Sequence, residues 1–112
     1  MQHLVRQLPI GEAIVDAILD LVRSARPGEV DALPQVNEMI AWGPGPRAAQ
    51  ALSLGVRARA LIDGRLAPSL DDVAALAEPV LKHRMALTFD ARTRGVTLQD
   101  IIGTLTNSVL KL

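Results

Sequence analysis

The chain has 112 residues, enough for one domain with a single hydrophobic core but too few for a second domain. Apolar residues make up 49% of it, yet only Trp42 and Phe89 are aromatic, so the core must be aliphatic and its Ala, Leu, Val and Ile favour helices. Twelve basic residues balance twelve acidic ones, cysteine is absent and no apolar run approaches the ~20 residues of a membrane span, so we expect a cytoplasmic protein without disulfides, thiolate metal sites, or binding to nucleic acid or membranes.

Five segments show helical periodicity, and together they predict an all-α fold, a small bundle of four to five helices. The predicted helices cover residues 9–25, 34–42, 45–62, 69–84 and 97–109. The first repeats apolar residues on one face, and these are Ile14, Ala17, Ile18, Leu21, Val22 and Ala25. Pro9 near its start and Pro27-Gly28 after its end agree with these bounds. Residues 85–95 are expected to form a loop or a single turn, and no segment predicts a strand.

Capping boxes mark the starts of the last two helices, at Ser69–Asp72 and Thr97–Asp100. The fourth helix would bury Leu70, Val73, Leu76, Ala77, Val80 and Leu81, and the fifth would bury Leu98, Ile101, Ile102, Leu105 and Val109. Pro79 lies inside the fourth helix. Because proline lacks an N–H and crowds the carbonyl four residues earlier, we expect a kink or a break near residues 75–78.

The residues that could carry chemistry do not form a catalytic pattern. There is no G-x-x-x-x-G-K-[ST] loop, and Lys82 and Lys111 are the only lysines. His3 and His83 are too isolated for a metal site, and the serines have no nucleophile-elbow context. Asp71-Asp72 is better explained as a charge pair at a helix N-terminus than as an acid/base dyad. We therefore do not expect the chain to be an enzyme on its own.

The stretch WGPGPRAAQAL, residues 42–52, predicts a stiff approach to the third helix with a cation in its first turn. Pro46 suits the first helical position, so Arg47 occupies about the second, where the helix dipole disfavours it by a few tenths of a kcal/mol. Helical spacing places Arg47, Gln50 and Arg57 on one polar stripe. The opposite face would hold Ala48, Ala51, Leu52, Gly55 and Ile62. An outward arginine beside a helix N-terminus suits a phosphate, and the alternative is an arginine that is solvated or paired with Glu38.

WGPGPRAAQAL, RARALIDGR, APSLDDVAALAEPVLKHRMAL and GVTLQDII follow one another in an order that resembles the C-terminal lid domain of the MoxR family of AAA+ ATPases. In that family, G-x-[SG]-P-R-A begins the sensor-2 helix. The upstream LVRQLPIGEAIVDAILDLVRSARP is also similar to the start of the lid, so the resemblance spans most of the chain. Walker A, Walker B, sensor 1 and the arginine finger are missing, as expected of a piece cut from a longer protein.

The resemblance implies a nucleotide-sensing lid that couples ATP binding and hydrolysis on a core domain to lid movement in a chaperone-like oligomer. Arg47 would be the sensor-2 arginine that contacts the γ-phosphate, and Pro46, Arg47 and Ala48 would adjoin the nucleotide. ATP and Mg²⁺ would be bound mainly by the core. The implied partners are the core domain and the neighbouring subunits of a hexamer.

Other charged and aromatic residues have structural interpretations. Arg59 is expected to pair with Asp71, Asp72 or Glu38 rather than with a ligand. Lys82-His83-Arg84 would cap the C-terminus of the fourth helix, with a subunit interface as the alternative.

A second class of function stays open from the sequence, a free-standing helical interaction module or a helix-turn-helix nucleic-acid binder built from the third and fourth helices. The fourth helix begins Leu70-Asp71-Asp72, which would present acids where phosphates should lie, so this interpretation ranks second. Trp42 is expected to be a core or rim anchor of the second helix.

Overall fold

The computed structural model describes residues 11–30 and 32–110, which form six helices and a pair of short strands. In chain order these are α1 (Glu12–Ser24), α2 (Pro34–Met39), β1 (Ile40–Trp42), α3 (Pro46–Ile62), α4 (Leu70–Leu81), β2 (Ala86–Leu87), α5 (Phe89–Thr93) and α6 (Leu98–Leu110). The strands pair antiparallel, with Ile40 opposite Leu87 and Trp42 opposite Ala86. The predicted helical class is confirmed. None of these helices is both long enough and apolar enough to cross a membrane.

The hydrophobic core lies between four long helices, because α1 packs on α3, α4 and α6, and α4 also packs on α3 and α6. It is aliphatic, as the composition requires. Its fully buried large side chains include Ile18, Leu21, Leu52, Val56, Val73, Leu81, Ile102 and Leu105. The predicted inner face of α1 is confirmed, whereas Pro9 lies outside the described residues.

The prediction of a second helix over residues 34–42 is wrong in its last turn. Helix α2 ends at Met39, and residues 40–42 extend into β1, whose partner β2 begins inside the expected loop of residues 85–95. The backbone N–H of Thr88 also donates to the carbonyl of Met39 at 2.8 Å. Pairing satisfies the backbone groups of two segments that are distant in the sequence, which local periodicity cannot reveal.

Two other expectations about the helices need correction. Helix α4 continues past Pro79 to Leu81, so there is no break at residues 75–78, and the helix ends three residues earlier than expected. A kink there stays a prediction. Pro79 and Ala75 are both exposed, so the one carbonyl that loses its partner can face water. Ile62 and Leu70, which were expected on inner faces, are 81% and 37% exposed because each lies at the end of its helix.

Candidate functional site

The approach to α3, residues 43–46, is held against the C-terminal end of α1. A Cβ atom on Gly43 would lie 2.5 Å from the carbonyl oxygen of Ala25 and 2.9 Å from the Cα of Arg26. These are backbone atoms that cannot move aside, so only glycine fits. Pro44 is fully buried beside this contact. The path into α3 is therefore fixed both by proline and by packing on another helix.

Arg47 projects from the first turn of α3, as the sequence predicts. Gly45 is the N-cap in an extended conformation, Pro46 opens the helix, and no side chain caps its N-terminus. Arg47 is exposed and forms no ion pair with residues 11–30 or 32–110. Glu38, the alternative partner, instead binds Arg94 at 3.5 Å.

The three residues predicted to adjoin a nucleotide lie in different environments. Pro46 and Arg47 are exposed, but Ala48 has no exposed surface and belongs to the hydrophobic core. The methyl group of Ala48 faces the core, so only its backbone could adjoin a nucleotide, and its place beside the nucleotide stays a prediction. Its contribution is to pack α3 against its neighbours.

A concave surface of about 880 Å³ runs from Arg47 along the outer face of α3, and we call it the arginine groove. Its lining residues are Arg47, Ala49, Gln50, Ala51, Ser53, Leu54, Arg57 and Arg84. The predicted polar stripe of Arg47, Gln50 and Arg57 is thus confirmed as one surface, but the placement of Ala51 on the opposite face is wrong, since it lines the same groove. Arg84 was not expected there, because it comes from the turn after α4, but the packing of α4 on α3 brings it alongside.

The predicted cap at the end of α4 is confirmed for one of its three residues. Arg84 donates from Nη1 to the carbonyl oxygen of Val80 at 3.0 Å. Lys82 and His83 are exposed. One guanidinium therefore caps a helix and lines the arginine groove.

A second charged cluster ties the end of α3 to the start of α4 around Asp72, which is fully buried. Arg65 binds its carboxylate with both terminal nitrogens, at 2.8 and 2.6 Å, and Arg59 adds a third contact at 3.1 Å. The backbone N–H of Ser69 also donates to Asp72, at 2.8 Å, which is half of the predicted capping box. The expected pairing of Arg59 with Asp72 is confirmed, although the side chain of Arg59 is 44% exposed.

Sequence reasoning missed Arg65, the main partner of Asp72. Helix α3 ends in a Schellman motif, in which Gly64 has a φ of 75° and the N–H of Arg65 bonds to the carbonyl of Ala60 at 2.8 Å. This reversal turns Arg65 back towards α4. In the sequence, Gly64 shortly after the predicted end of the third helix indicates the turn, but it does not indicate which carboxylate Arg65 meets.

The cluster sets the protonation of Asp72. The paired hydrogen bonds from Arg65 lower the pKa of its carboxyl to about 2, against the opposing effect of burial, and the Ser69 N–H and the charge of Arg59 act in the same direction as Arg65. The same contacts raise the pKa of Arg65. Asp72 therefore stays ionised as a structural anion and is not available as a general acid.

The described residues thus form a mostly helical bundle whose third helix begins with Pro46 and an exposed Arg47. The AAA lid domain family profile matches residues 34–105, so the chain belongs to that family. Chaperone MoxR1 of Mycobacterium tuberculosis is 29% identical over 100 residues, covering 89% of this chain and 26% of that protein. These findings support the resemblance to the MoxR group of AAA+ proteins.

Structural similarity agrees with the sequence match. A crystal structure of a candidate ATPase from Cytophaga hutchinsonii superposes with a TM-score of 0.79 at 25% identity, covering 90% of this chain and 31% of that one. The chain thus spans between a quarter and a third of the length of both relatives.

Proposed function

We propose that this domain is the nucleotide-sensing lid of a MoxR-type AAA+ ATPase and that Arg47 is its sensor-2 arginine. Arg47 would contact the γ-phosphate of ATP bound, with Mg²⁺, mainly by a AAA+ core. The orientation of the lid would then depend on whether that phosphate is present. The whole protein would be a cytoplasmic, chaperone-like ATPase, hexameric when complete, in which the lid touches its own core and the neighbouring subunit.

The observation that supports this role best is the exposed guanidinium of Arg47 at the uncapped N-terminus of α3. A cation there is unfavourable in an isolated helix, because the N-terminus carries partial positive charge. A phosphate removes that conflict, since it accepts hydrogen bonds from arginine and from the nearby backbone N–H groups alike.

The fixed approach to α3 gives the lid a means of reporting the nucleotide state. ATP and ADP differ by one phosphate, and a ligand shifts a conformational equilibrium only by its differential affinity for the two states. Arg47 supplies that differential only if it keeps its position when the lid moves as a body. The close approach of Gly43 to the end of α1 and the burial of Pro44 support such a constraint.

The test is to replace Arg47 with Ala in the full-length protein that carries this lid and to measure steady-state ATP hydrolysis. We expect kcat to fall by about 10- to 100-fold, because one charged group that stabilises the transferring phosphoryl group is lost. Arg92→Ala is the matched control, since Arg92 is exposed on α5 and lies outside the arginine groove. Unchanged hydrolysis in Arg47→Ala would remove the proposed role.

The helix-turn-helix alternative receives no support from the site. Helix α4, which would follow the turn, has Asp71 and Asp72 in its first turn, and Asp72 is buried in its cluster with arginines. A recognition helix needs basic or amide side chains at the end that meets the nucleic acid. We therefore keep the nucleotide-sensing lid as the only proposed function.

A further inference from the structure

Two contacts show how helices α3 and α4 are aligned. Near the end of α3, Arg59 binds Asp72 in the first turn of α4 at 3.1 Å. One turn earlier on α3, a Cβ atom on Gly55 would lie 2.9 Å from Cδ1 of Leu76, which is one turn further along α4. The two helices are therefore antiparallel, and each turn back along α3 corresponds to one turn forward along α4.

This alignment brings Arg84 level with Arg47. Arg47 lies twelve residues before Arg59, and Arg84 lies twelve residues after Asp72. Helix α4 ends at Leu81, but the chain continues in a tight turn, since the N–H of Arg84 bonds to the carbonyl of Leu81 at 2.9 Å. Both arginines line the arginine groove. They therefore share the end of the groove that lies at the start of α3.

The cap on α4 uses only part of the Arg84 side chain. Nη1 donates to the carbonyl oxygen of Val80 at 3.0 Å, which fixes the direction of the guanidinium group. Arg84 forms no ion pair with residues 11–30 or 32–110, and none of the residues that line the groove is acidic. Two cations at one end of a groove repel each other when no anion lies between them, so this end of the groove favours an anion.

We propose that Arg84 is a second phosphate-binding residue of the lid and that it shares the terminal phosphate of ATP with Arg47. A terminal phosphate has three acceptor oxygens and close to two negative charges, so it can accept hydrogen bonds from two arginines at once. The hydrogen bond to Val80 holds Arg84 on the bundle, and both arginines then move with the lid as one body. The lid would distinguish ATP from ADP by two charged contacts instead of one.

This inference rests on the proposed function, because it adds a residue to the same phosphate contact. The two can nevertheless be measured separately. The sensor-2 role concerns Arg47 alone, whereas the loss of Arg84 should weaken the binding of ATP even when Arg47 is intact.

Two other cations provide matched controls. Arg57 lines the same groove, but it is ten positions beyond Arg47 on α3, about 15 Å along the helix axis and too far for one phosphate to bind both. Lys82 lies beside Arg84 after the end of α4, but it is exposed and outside the groove. The first controls for the charge of the groove, and the second for a cation lost at the end of α4.

The first experiment compares Arg84→Gln, Arg57→Gln and Lys82→Gln in the full-length protein that carries this lid. Competition binding in the presence of Mg²⁺ gives the affinity of each variant for a nonhydrolysable ATP analogue and for ADP. We expect Arg84→Gln to reduce the preference for the ATP analogue about tenfold, because a charged hydrogen bond to the terminal phosphate is lost. Its affinity for ADP and the preference of both controls should stay at the wild-type values. A preference in Arg84→Gln equal to that of the controls would overturn the proposal.

A second measurement separates phosphate contact from helix capping. Phenylglyoxal, which modifies accessible arginines, is added to the wild-type full-length protein, and mass spectrometry follows the modification of each arginine. Modification of Arg47 and Arg84 should be several-fold slower with the ATP analogue than with ADP, while that of Arg57 should be the same with both. A cap on Val80 is present in either nucleotide state. Equal modification of Arg84 with the two nucleotides would therefore assign it to the cap alone and contradict the proposal.

The same measurements tell this proposal apart from the sensor-2 role. If Arg47→Ala loses the preference for ATP and Arg84→Gln keeps it, the sensor-2 role stands and the proposal for Arg84 fails. If Arg47→Ala keeps the preference, the sensor-2 role fails. Protection of Arg84 by the ATP analogue but not by ADP would in that case still support its contact with the terminal phosphate.

Discussion

Asp72 is the only buried charged residue in the part of the chain that the structure describes. It accepts hydrogen bonds from Arg65, Arg59 and the backbone of Ser69, so it joins the end of α3 to the start of α4. Removing one partner of a buried ion pair is costly, because the groups left behind were taken out of water to meet it. The arginines here are partly exposed, which reduces that cost.

Asp72→Asn should lower the free energy of unfolding at neutral pH by about 2 kcal/mol, because the amide carries no charge and places an NH2 donor where one of the two oxygens accepts from Arg65. Chemical denaturation of the lid would measure the change. Asp71→Asn is the matched control, since Asp71 is the adjacent residue in the same helical turn but is exposed. Equal effects of the two substitutions would show that the cluster contributes no more than a surface charge.

The pKa of Asp72 also predicts a dependence of stability on pH. Its value in the folded state, about 2, lies below the ordinary 3.8, so the unfolded chain binds the proton more tightly. The contribution of Asp72 is therefore complete above about pH 4 and is lost as the pH falls towards 2, at a total of about 2 kcal/mol. Denaturation midpoints of the wild type should fall more steeply over this interval than those of Asp72→Asn. Parallel curves would contradict the assignment.

The positions of three arginines differ in how far they could be predicted from the sequence. Arg47 could be predicted to point outward, because Pro46 fixes the first helical position and helical spacing then places Arg47 on the polar face. Arg65 could not be paired with Asp72, because that depends on how the chain leaves the Schellman motif after Gly64. Arg84 could not be assigned to the arginine groove, since its place there follows from the packing of two helices.

At the level of elements, the approach to α3 is the feature most sensitive to a single methyl group. Gly43→Ala would force a Cβ against the backbone of Ala25 and Arg26, and we expect a loss of about 3 kcal/mol in unfolding free energy. Gly45→Ser is the control, because no atom lies within 4 Å of a Cβ there and serine is a good N-cap. Thermal denaturation would compare them. Equal melting temperatures would mean that the approach can move away from α1.

A substitution in helix α6 should stabilise the domain rather than destabilise it. Gly103 lies inside this helix in open space, where an added Cβ would meet nothing. Gly103→Ala should therefore raise the unfolding free energy by up to about 1 kcal/mol, because alanine loses less backbone entropy in a helix. Gly55→Ala in α3 should give a smaller gain or a loss, since its Cβ would meet Leu76 at 2.9 Å. Denaturant titration of both would show whether that contact matters.

The elements themselves could be predicted where the signal is local. Amphipathic periodicity gives four long helices, and glycines or capping residues give most of their ends. The pairing of β1 with β2 could not be predicted, because each strand is too short to alternate visibly and its stability depends on a partner more than forty residues away. The sequence predicts Trp42 at the end of α2 because the strand pairing is not visible there. In the structure Trp42 lies on β1 and is 56% exposed.

At the scale of the whole molecule, the lid separates its charges by role. Arg59 and Arg65 join α3 to α4 by pairing with Asp72, while Arg47, Arg57 and Arg84 line the arginine groove and form no ion pair with the described residues. A rigid aliphatic bundle beneath them keeps their spacing constant. The proposed sensing of a nucleotide would require that residues 43–46 do not bend, so the stiffness of this segment can be tested.

Pro46→Ala relaxes that link without removing any charge. Alanine suits the first turn of a helix and Pro46 is exposed, so the unfolding free energy should fall by less than about 1 kcal/mol, chiefly through the freer unfolded chain. In the full-length protein, we expect the preference for ATP over ADP to weaken by a factor of about two to ten, because Arg47 then holds its position less well. Competition binding of the two nucleotides measures this preference, with Arg47→Ala as the lower limit and Arg92→Ala, which lies outside the arginine groove, as the control. A preference equal to that of the wild type would mean that Arg47 senses the phosphate without help from the proline.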